Sequence, residues 1–497
     1  LPHRPELQAS IAWANCLLQR AQAAQSALDH VRAAAGSASD ESSRAALKEA
    51  DVVQACIDVY SDRVDRAAAL VAPILQPESG ARAFLVAVSA NITSFVDIQA
   101  FAYDKVLKDQ EWANTYHAAA HGPFAGVYGR CFAGIAAFAQ LDLMTAGHLY
   151  EDAWDLACRE AGPRSHAARL AGALRGNLRY ERGDIDGAEE LLEACHELGA
   201  ESGVADFMIA TYISLARIRA MRGDTEEAWA LLDEGAQSGR QLALPRLSAA
   251  VDHERVRMYL TLGQIAAAED VLAQQTGDLP GVGNGLAMSI RHHRLGMRAR
   301  VDDARGRHES ALRWWTQIQQ EAAAVGWRYA EAGAGMEVAV VLANRGDADA
   351  AARAALPVLA AGAQAGLLRT ITDAGPGLVR ILNSVRALDR SRPDLNPVPA
   401  GYVSALLATV HAQKEQAARR AADGAAPRSL APEEPLSARE IDILRLLDRG
   451  LSNKEIARNL RITTNTVKWY LKSIYLKLGA TRRGEAVSEA RRRALIT

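Results

Sequence analysis

Apolar residues recur at helical spacing along almost the whole chain, and glycines interrupt them at regular intervals. Alanine dominates the composition, and aromatic residues make up only 5% of the chain. Long runs of alternating β-branched residues, which would indicate strands, do not occur. Because alanine has the highest helix propensity, this pattern predicts an all-α protein. No stretch of about 18 uncharged apolar residues occurs, so the sequence predicts no membrane-spanning helix.

An internal repeat appears when the glycines are aligned, because a Gly is followed five residues later by an Ala in five places. The glycines are 40, 40, 43 and 40 residues apart. The pairs are Gly183/Ala188, Gly223/Ala228, Gly263/Ala268, Gly306/Ala311 and Gly346/Ala351. Gly accepts the left-handed conformation that ends a helix, and a small Ala lets two antiparallel helices approach closely. Each unit is therefore predicted to be a helical hairpin, and consecutive hairpins must stack to bury their apolar faces.

Neighbouring residues complete this repeat. Asp184, Asp224 and Asp347 directly follow three of the glycines, and we expect each to cap the next helix. A second set of glycines stands 16 residues after three repeat glycines, and we expect them to close the second helix of the hairpin. This set is Gly199, Gly239 and Gly362.

Fainter copies of the repeat lie upstream. Leu141/Ala146 and Asp62/Ala67 keep the five-residue spacing without a glycine, so the array is predicted to begin near the N-terminus. The units resemble tetratricopeptide repeats, although their period near 40 residues is longer than the usual 34. Between residues 413 and 435 the apolar periodicity ends and three prolines occur, which is typical of a linker. The predicted organisation is a tetratricopeptide-like α-solenoid over 1–412, a linker over 413–435 and a small domain over 436–497.

The small domain contains three helix starts of one kind. A capping residue, with an apolar residue before it, precedes each apolar run. The capping residues are Ser437 with Glu440, Ser452 with Glu455, and Thr463. Gly450 is expected to end the first helix. About two residues separate the second helix from the cap of the third, and so tight a turn predicts a helix-turn-helix.

The third helix of this domain has two distinct faces. Its apolar residues follow the helical repeat and are predicted to form a buried stripe. This stripe comprises Val467, Leu471, Ile474 and Leu478. Asn465, Lys468, Trp469 and Lys472 fall on the opposite side. A DNA major groove suits that face, because lysines can reach guanine edges or phosphates and an aromatic ring can pack on a thymine methyl group.

The charge distribution supports the same interpretation. Residues 436–497 contain 14 Lys and Arg residues against 6 Asp and Glu residues, a net charge of +8. Because the whole chain carries −2, the remainder carries −10. A basic module on an acidic body is expected where one end of a protein meets a polyanion.

The segments GLSNKEIARNL and TTNTVKWYLKSIYLKLGATRRGEAV resemble the LuxR-type helix-turn-helix domain. The resemblance implies that the third helix reads the major groove and that a fourth helix after Arg482 serves as a dimer contact. It also implies base contacts for Lys468, Trp469 and Lys472, and positions near phosphates for Lys454, Thr464, Thr466 and Lys477. The residues assigned to DNA binding are Lys454, Thr464, Asn465, Thr466, Lys468, Trp469, Lys472, Lys477 and Arg482.

Further upstream, ITDAGPGLVRILNSV at 371–385 and GYVSALLATV at 401–410 resemble the end of the solenoid in MalT-like, large ATP-binding LuxR regulators. Those members usually show Asp-Glu-Gly where this chain has Asp373-Ala374-Gly375. No G-x-x-x-x-G-K-[ST] loop occurs in the chain. The nucleotide-binding domain typical of such regulators is therefore expected to precede Leu1 in the full protein or to have been lost, and no cofactor is expected in this chain.

One register of the repeat carries basic residues that could bind an effector. Asn177, Arg217, Arg257 and Arg300 stand six residues before the repeat glycines, a position that faces the concave groove in tetratricopeptide-like arrays. By the same alignment His253 and His293 occupy two other groove-facing positions. A column of arginines would suit an anionic effector or an acidic peptide. The alternative is that these arginines are solvated and paired with Asp and Glu.

The sequence thus predicts a transcription regulator and not an enzyme. The solenoid would sense a small-molecule or protein effector in its groove, and the helix-turn-helix would bind double-stranded promoter DNA as a homodimer. RNA polymerase is a further candidate partner. No membrane or metal is expected to be involved, and the expected location is the cytoplasm. Two alternatives stay open: a solenoid adaptor with a vestigial DNA-binding domain, and the output half of an ATP-dependent signalling switch.

Overall fold

The computed structural model describes most of the solenoid and part of the small domain. The described residues are 4–35, 40–197, 203–275, 277–391, 397–425, 436, 438–460, 467, 470–471, 474–475, 478, 480, 483–493 and 495–496. Within these residues the secondary structure is helical, with no strand, which confirms the all-α prediction. None of the described helices is long and apolar enough to cross a bilayer.

The helices follow one another with short connections. They are α1 (Pro5–Leu17), α2 (Ala21–Ala35), α3 (Glu41–Tyr60), α4 (Ala67–Val71), α5 (Ala83–Gln99), α6 (Tyr103–Ala119), α7 (Phe124–Ala139), α8 (Leu143–Ala161), α9 (His166–Glu181), α10 (Ile185–His196), α11 (Ala205–Arg222), α12 (Thr225–Gln241), α13 (Pro245–Thr261), α14 (Ile265–Ala273), α15 (Gly285–Ala304), α16 (His308–Ala324), α17 (Arg328–Arg345), α18 (Ala348–Ala365), α19 (Arg369–Thr372), α20 (Leu378–Ser391), α21 (Ala400–Ala425), α22 (Ala438–Asp448), α23 (Asn453–Leu460) and α24 (Arg483–Arg492). The chain divides into two compact units, Leu1–Ala417 and Ala418–Thr497.

The corners of the hairpins match the predicted repeat. The five repeat glycines all have positive φ angles, between 72° and 96°, which only glycine adopts without strain. The alanine five residues later is fully buried in every unit. Asp184 and Asp347 cap the following helices by accepting hydrogen bonds from the backbone N–H of Gly187 and Ala350. Asp224 occupies the same position without that hydrogen bond.

The repeat extends to the N-terminus through corners that contain no glycine. Leu141 and Asp62, inferred from spacing, have φ angles of 65° and 53°. Gln19 and Phe101 adopt the same conformation, at 56° and 59°, and were not detected in the sequence. Residues other than Gly rarely adopt this backbone conformation. Because Gln19 and Phe101 do not favour it, the residue type does not reveal these two corners, and they depend on the stacking of neighbouring hairpins.

The prediction that Gly239 and Gly362 close the second helix of their hairpins is wrong. Both lie inside helices, α12 and α18, which continue to Gln241 and Ala365. A Cβ on Gly239 would lie 2.5 Å from the Ser248 side-chain oxygen, and one on Gly362 would lie 2.7 Å from the Tyr402 hydroxyl. These glycines therefore allow a neighbouring helix to approach closely. Gly199 lies outside the described residues.

The array closes on itself after five hairpins. Helix α15 contacts α5, α17 contacts α7, and α19 contacts α9. The backbone N–H of Leu368 donates to the carbonyl oxygen of Glu181 at 3.1 Å across this closure. The first helices of successive hairpins thus face a common interior, which positions the residues of the candidate effector site.

The second half of the solenoid ends in the long helix α21. This helix continues to Ala425, so the first part of the predicted linker is helical. Residues 426–435 lie outside the described residues.

Candidate functional site

The described part of the small domain has the local features predicted for a helix-turn-helix. Ser452 and Glu455 form a reciprocal capping box at the start of α23: the Ser452 N–H donates to the Glu455 carboxylate at 2.7 Å, and the Glu455 N–H donates to the Ser452 hydroxyl at 3.4 Å. The Ser452 hydroxyl also donates to the Glu455 carboxylate, at 2.7 Å, and together with the Ser452 N–H it lowers the pKa of Glu455. Gly450 ends α22 with a φ angle of 83°.

The predicted apolar stripe of the third helix is buried. Val467 and Ile474 are fully buried, and Leu471 and Leu478 are nearly so. They share a core with Ile443, Leu444, Ile456, Ala486 and other residues of α22, α23 and α24. The sequence thus predicted the core of this domain correctly. Most of the predicted DNA contacts lie outside the described residues: Thr464, Asn465, Thr466, Lys468, Trp469, Lys472, Lys477 and Arg482. Lys454 lies in α23, and its side chain is also outside them.

The six groove residues predicted in the solenoid lie on the first helices of four successive hairpins, α9, α11, α13 and α15. Five of them belong to two adjacent hydrogen-bonded groups that interact electrostatically with each other, and we call the two groups together the polar centre. It consists of Arg217, His253, Glu254, Arg257, His293, Arg300, Glu337, Arg369 and Asp373. The sixth, Asn177, donates a hydrogen bond to the Ser214 hydroxyl at 2.9 Å on the next first helix.

Glu254 joins two of the arginines of the polar centre. The Arg217 guanidinium donates two hydrogen bonds to one Glu254 oxygen, at 2.9 and 2.8 Å, and Arg257 donates to the other at 2.7 Å. Glu254 is only 2% exposed. Burial opposes ionisation, but the two guanidinium groups outweigh it and hold the pKa of Glu254 well below its usual range. The carboxylate is therefore charged and compensated.

Arg300 joins the two histidines and a second carboxylate. It pairs with Glu337 and lies 5.5 Å from the ring centre of Trp315. Its Nε donates to Nε2 of His253 at 3.2 Å, and Nδ1 of His253 lies 3.1 Å from Nδ1 of His293. Burial lowers the pKa of both imidazoles, that of His293 to about 4, with nearby positive charge adding to the effect. Both rings are therefore neutral at pH 7. Because Nε2 of His253 accepts from Arg300, the proton of this ring is on Nδ1, and His253 donates to Nδ1 of His293.

The end of the solenoid completes the polar centre. Asp373 pairs with Arg369, accepts a hydrogen bond from the Tyr180 hydroxyl at 2.5 Å and lies 3.9 Å from the Arg217 guanidinium. Tyr180 belongs to α9, one superhelical turn earlier in the array. Each arginine of the predicted column thus has a carboxylate neighbour, and the network connects the two ends of the closed turn.

Sequence reasoning detected the arginines and missed the acidic partners. Glu254 and Glu337 both stand nine residues before a repeat glycine, so their shared register was a usable signal. Asp373 was noted as part of a family segment but not as a partner of arginine. Within the described residues no cluster of His, Cys, Asp and Glu has the arrangement of a metal site.

Glu181, next to the polar centre, titrates close to neutral pH. It accepts hydrogen bonds from the N–H and hydroxyl of Thr370, at 3.0 and 2.8 Å, and from the Tyr329 hydroxyl at 3.3 Å. Burial nevertheless raises its pKa to about 7 from an ordinary value near 4.5. Between these two values the folded protein holds a proton that the unfolded chain has lost. The contribution of Glu181 to the free energy of unfolding therefore falls as pH rises from about 4.5 to 7.

We expect Glu181→Gln to remove this pH dependence, which amounts to about 3 kcal/mol. The melting temperature of the variant, measured by scanning calorimetry, should increase relative to that of the wild type as pH rises from 5 to 8. Glu309→Gln, which removes a carboxylate from an exposed pair with Arg345, should keep the wild-type profile. Parallel pH profiles for Glu181→Gln and wild type would contradict the assigned titration.

The described residues contain a solenoid of helical hairpins and a helix-turn-helix core on one chain, which defines the class of helical-repeat proteins that carry a C-terminal helix-turn-helix domain. Residues 49–388 match the family model for the MalT-like TPR region, and residues 434–490 match the model for bacterial regulatory proteins of the luxR family. The chain therefore belongs to the MalT-like family of LuxR-type transcription regulators.

Three relatives illustrate this relationship. The serine/threonine-protein kinase PknK of Mycobacterium tuberculosis is 38% identical over 275 residues, which is 55% of this chain and 24% of PknK. The transcriptional regulator AlkS of Alcanivorax borkumensis is 39% identical over 89 residues, 18% of this chain and 10% of AlkS. The transcriptional regulatory protein LiaR of Bacillus subtilis is 34% identical over 140 residues, 28% of this chain and 56% of LiaR. The chain thus matches about a quarter of the length of PknK.

A solved structure of a Rap protein in complex with competence and sporulation factor is also similar. It aligns with a TM-score of 0.47 and 11% identity, over 76% of this chain and 99% of the Rap chain.

Proposed function

We propose that this protein regulates transcription by binding duplex promoter DNA through its C-terminal domain, under the control of an effector or protein partner sensed by the solenoid. The observation that carries the first part is the helix-turn-helix core, in which the predicted stripe from Val467 to Leu478 is buried and the Ser452–Glu455 box caps α23. A net charge of +8 on residues 436–497 supports the same function, because DNA backbones attract basic modules.

The bound form is a homodimer in this proposal, with α24 at the dimer contact that the LuxR resemblance implies. Two helix-turn-helix domains related by a two-fold axis read half-sites about one helical turn of DNA apart. The protected region in a footprint should therefore contain an inverted repeat.

The experiment that tests DNA binding uses the full chain and duplexes selected by it from a random pool. Fluorescence anisotropy should give saturable binding whose affinity falls steeply with salt, because bound lysines and arginines release counterions from the phosphates. A chain that binds no duplex even at low salt would favour the alternative of a solenoid adaptor with a vestigial DNA-binding domain.

The effector site belongs to the same proposal, and we assign it to the polar centre with Asn177 beside it. This assignment is supported by the position of the polar centre, where residues from α11, α13, α15, α17 and the end of α19 lie close together. A molecule bound there would contact several hairpins at once. An acidic effector would compete with Glu254 and Glu337 for the guanidinium groups. Because each hairpin contacts mainly its neighbours, small rotations accumulate along a solenoid, and this is how binding would be transmitted.

The effector assignment is tested by removing both halves of one ion pair. Arg300→Gln together with Glu337→Gln leaves no buried charge uncompensated, which keeps the cost in stability low. We expect this double variant to keep the wild-type fold and to lose the thermal shift that an acidic peptide or carboxylated metabolite produces. The matched control is Arg345→Gln with Glu309→Gln, an exposed pair of the same chemistry. Equal shifts in all three proteins would place the sensing site elsewhere.

A further inference from the structure

A cavity of about 140 Å³ lies between the first helices of the N-terminal hairpins, α1, α3, α5 and α7. It shares no lining residue with the polar centre. Six aromatic rings form most of its wall: Trp13, Tyr60, Phe84, Phe124, Tyr128 and Phe132. Aliphatic side chains of Leu17, Val59, Val88 and Ile92 fill the gaps between the rings. His121, which is exposed, also lines the cavity.

The polar groups of this cavity are few and mostly satisfied. The Tyr60 hydroxyl donates to the Tyr128 hydroxyl at 3.0 Å. The Asn91 amide donates to the carbonyl oxygen of Ala125 at 2.8 Å and accepts from Gln110 at 3.1 Å. Burial raises the pKa of both tyrosines, so their hydroxyls stay neutral. Among the described residues that line the cavity, none is Lys, Arg, Asp or Glu.

This lining selects a ligand by its chemistry. A charged or sugar-like molecule would lose its hydration without finding compensating hydrogen-bond partners, which is unfavourable. An uncharged apolar molecule gains free energy in proportion to the apolar area that binding removes from water. The volume is close to the roughly 150 Å³ at which an engineered apolar cavity in another protein stays dry and accepts benzene.

We infer that this cavity is a binding site for a small, uncharged, apolar molecule of about one ring in size. The Tyr60–Tyr128 hydroxyl pair offers such a molecule one hydrogen bond, which suits a single hydroxyl or carbonyl group on the ring. The inference rests on the solenoid itself and does not depend on DNA binding.

The walls of the site connect it to the rest of the closed turn. The Tyr128 ring lies 5.7 Å from that of Phe207 on α11, and Phe132 lies 5.6 Å from Phe95. The Arg246 guanidinium, from α13, lies 5.8 Å from the centre of the Phe95 ring. An occupant therefore packs against helices that contact both the N-terminal hairpins and the hairpins of the next turn, and it should raise the stability of the solenoid by mass action.

The test titrates the full chain with toluene, indole and p-cresol as apolar probes and with benzoate and glucose as polar controls, read by thermal shift and calorimetry. We expect the apolar probes to raise the melting temperature and to bind at one site, and benzoate and glucose to have no effect. Tyr128→Phe should weaken p-cresol several-fold and leave toluene unchanged. Failure of all three apolar probes to bind would overturn the inference.

Val88→Trp should fill the cavity and reduce toluene affinity at least tenfold. Val282→Trp makes the same substitution at an exposed position in the loop before α15, and it should bind toluene like the wild type. Methyl NMR of the wild type provides a test that needs no variant, because toluene should shift the methyl signals of Val59, Val88 and Ile92 and not those of Val282. Shifts confined to other methyl groups, or unchanged toluene affinity in a folded Val88→Trp protein, would also overturn the assignment.

Discussion

Replacing Glu254 by Gln is expected to lower the free energy of unfolding of the solenoid by about 3–5 kcal/mol, because it removes a buried carboxylate that pairs with two partly buried guanidinium groups. Arg217 and Arg257 both depend on this side chain, which is 2% exposed. The neutral amide can accept a hydrogen bond from one arginine but cannot balance either charge. The wild-type carboxylate is ionised at neutral pH, since the pKa of Glu254 lies well below its usual range.

Urea denaturation followed by circular dichroism measures this loss, with hydrogen exchange to locate it among the hairpins. A solenoid can unfold in parts, so we expect the loss of protection to centre on α11, α13 and α15. Glu309→Gln provides the matched control, because its partner Arg345 is on the surface and solvent screens the pair. If the two substitutions cost the same, the polar centre is not a compensated interior network.

The second large effect concerns DNA. Lys468→Ala with Lys472→Ala should weaken binding to the preferred duplex by about 2–6 kcal/mol, from about 1–3 kcal/mol for each lysine that reaches a base edge. Binding to unrelated duplexes should fall much less, so the ratio of specific to non-specific affinity collapses. Lys477→Ala should instead weaken all duplexes alike and reduce the slope of the salt dependence by about one.

Anisotropy titrations at several salt concentrations separate these outcomes. Lys108→Ala with Lys414→Ala removes two exposed charges outside residues 436–497 and serves as the matched control, with specificity unchanged. A Lys468/Lys472 double variant that binds as tightly and selectively as the wild type would remove the recognition role from the third helix.

The local features of this protein could be predicted from its sequence. A left-handed corner at Gly183, a cap at Asp347 and a capping box at Ser452 each depend on interactions within a few residues. The stripe from Val467 to Leu478 follows from helical periodicity. The family, the all-α architecture and the helix-turn-helix core therefore required no knowledge of distant contacts.

Other features depend on the packing between hairpins. Gln19 and Phe101 adopt the left-handed conformation without the residue type that favours it, and Gly239 and Gly362 serve close helix approach where the sequence indicated a helix end. In each case, packing against neighbouring helices stabilises the observed conformation. Local residue preferences do not include the contribution of packing between hairpins.

The closure of the superhelix could not be predicted from the sequence either. Arg246 on α13 is buried and donates to Asp62, at 2.7 and 3.0 Å, as well as to Asp206, at 2.8 and 3.1 Å. Asp62 lies 184 residues earlier in the chain. The sequence placed Arg217, Arg257 and Arg300 in one register of the repeat but left their partners open. Tertiary structure decided those partners, because the pitch of a solenoid sums small rotations over five hairpins, and only that sum brings Asp373 to Tyr180 and Arg246 to Asp62.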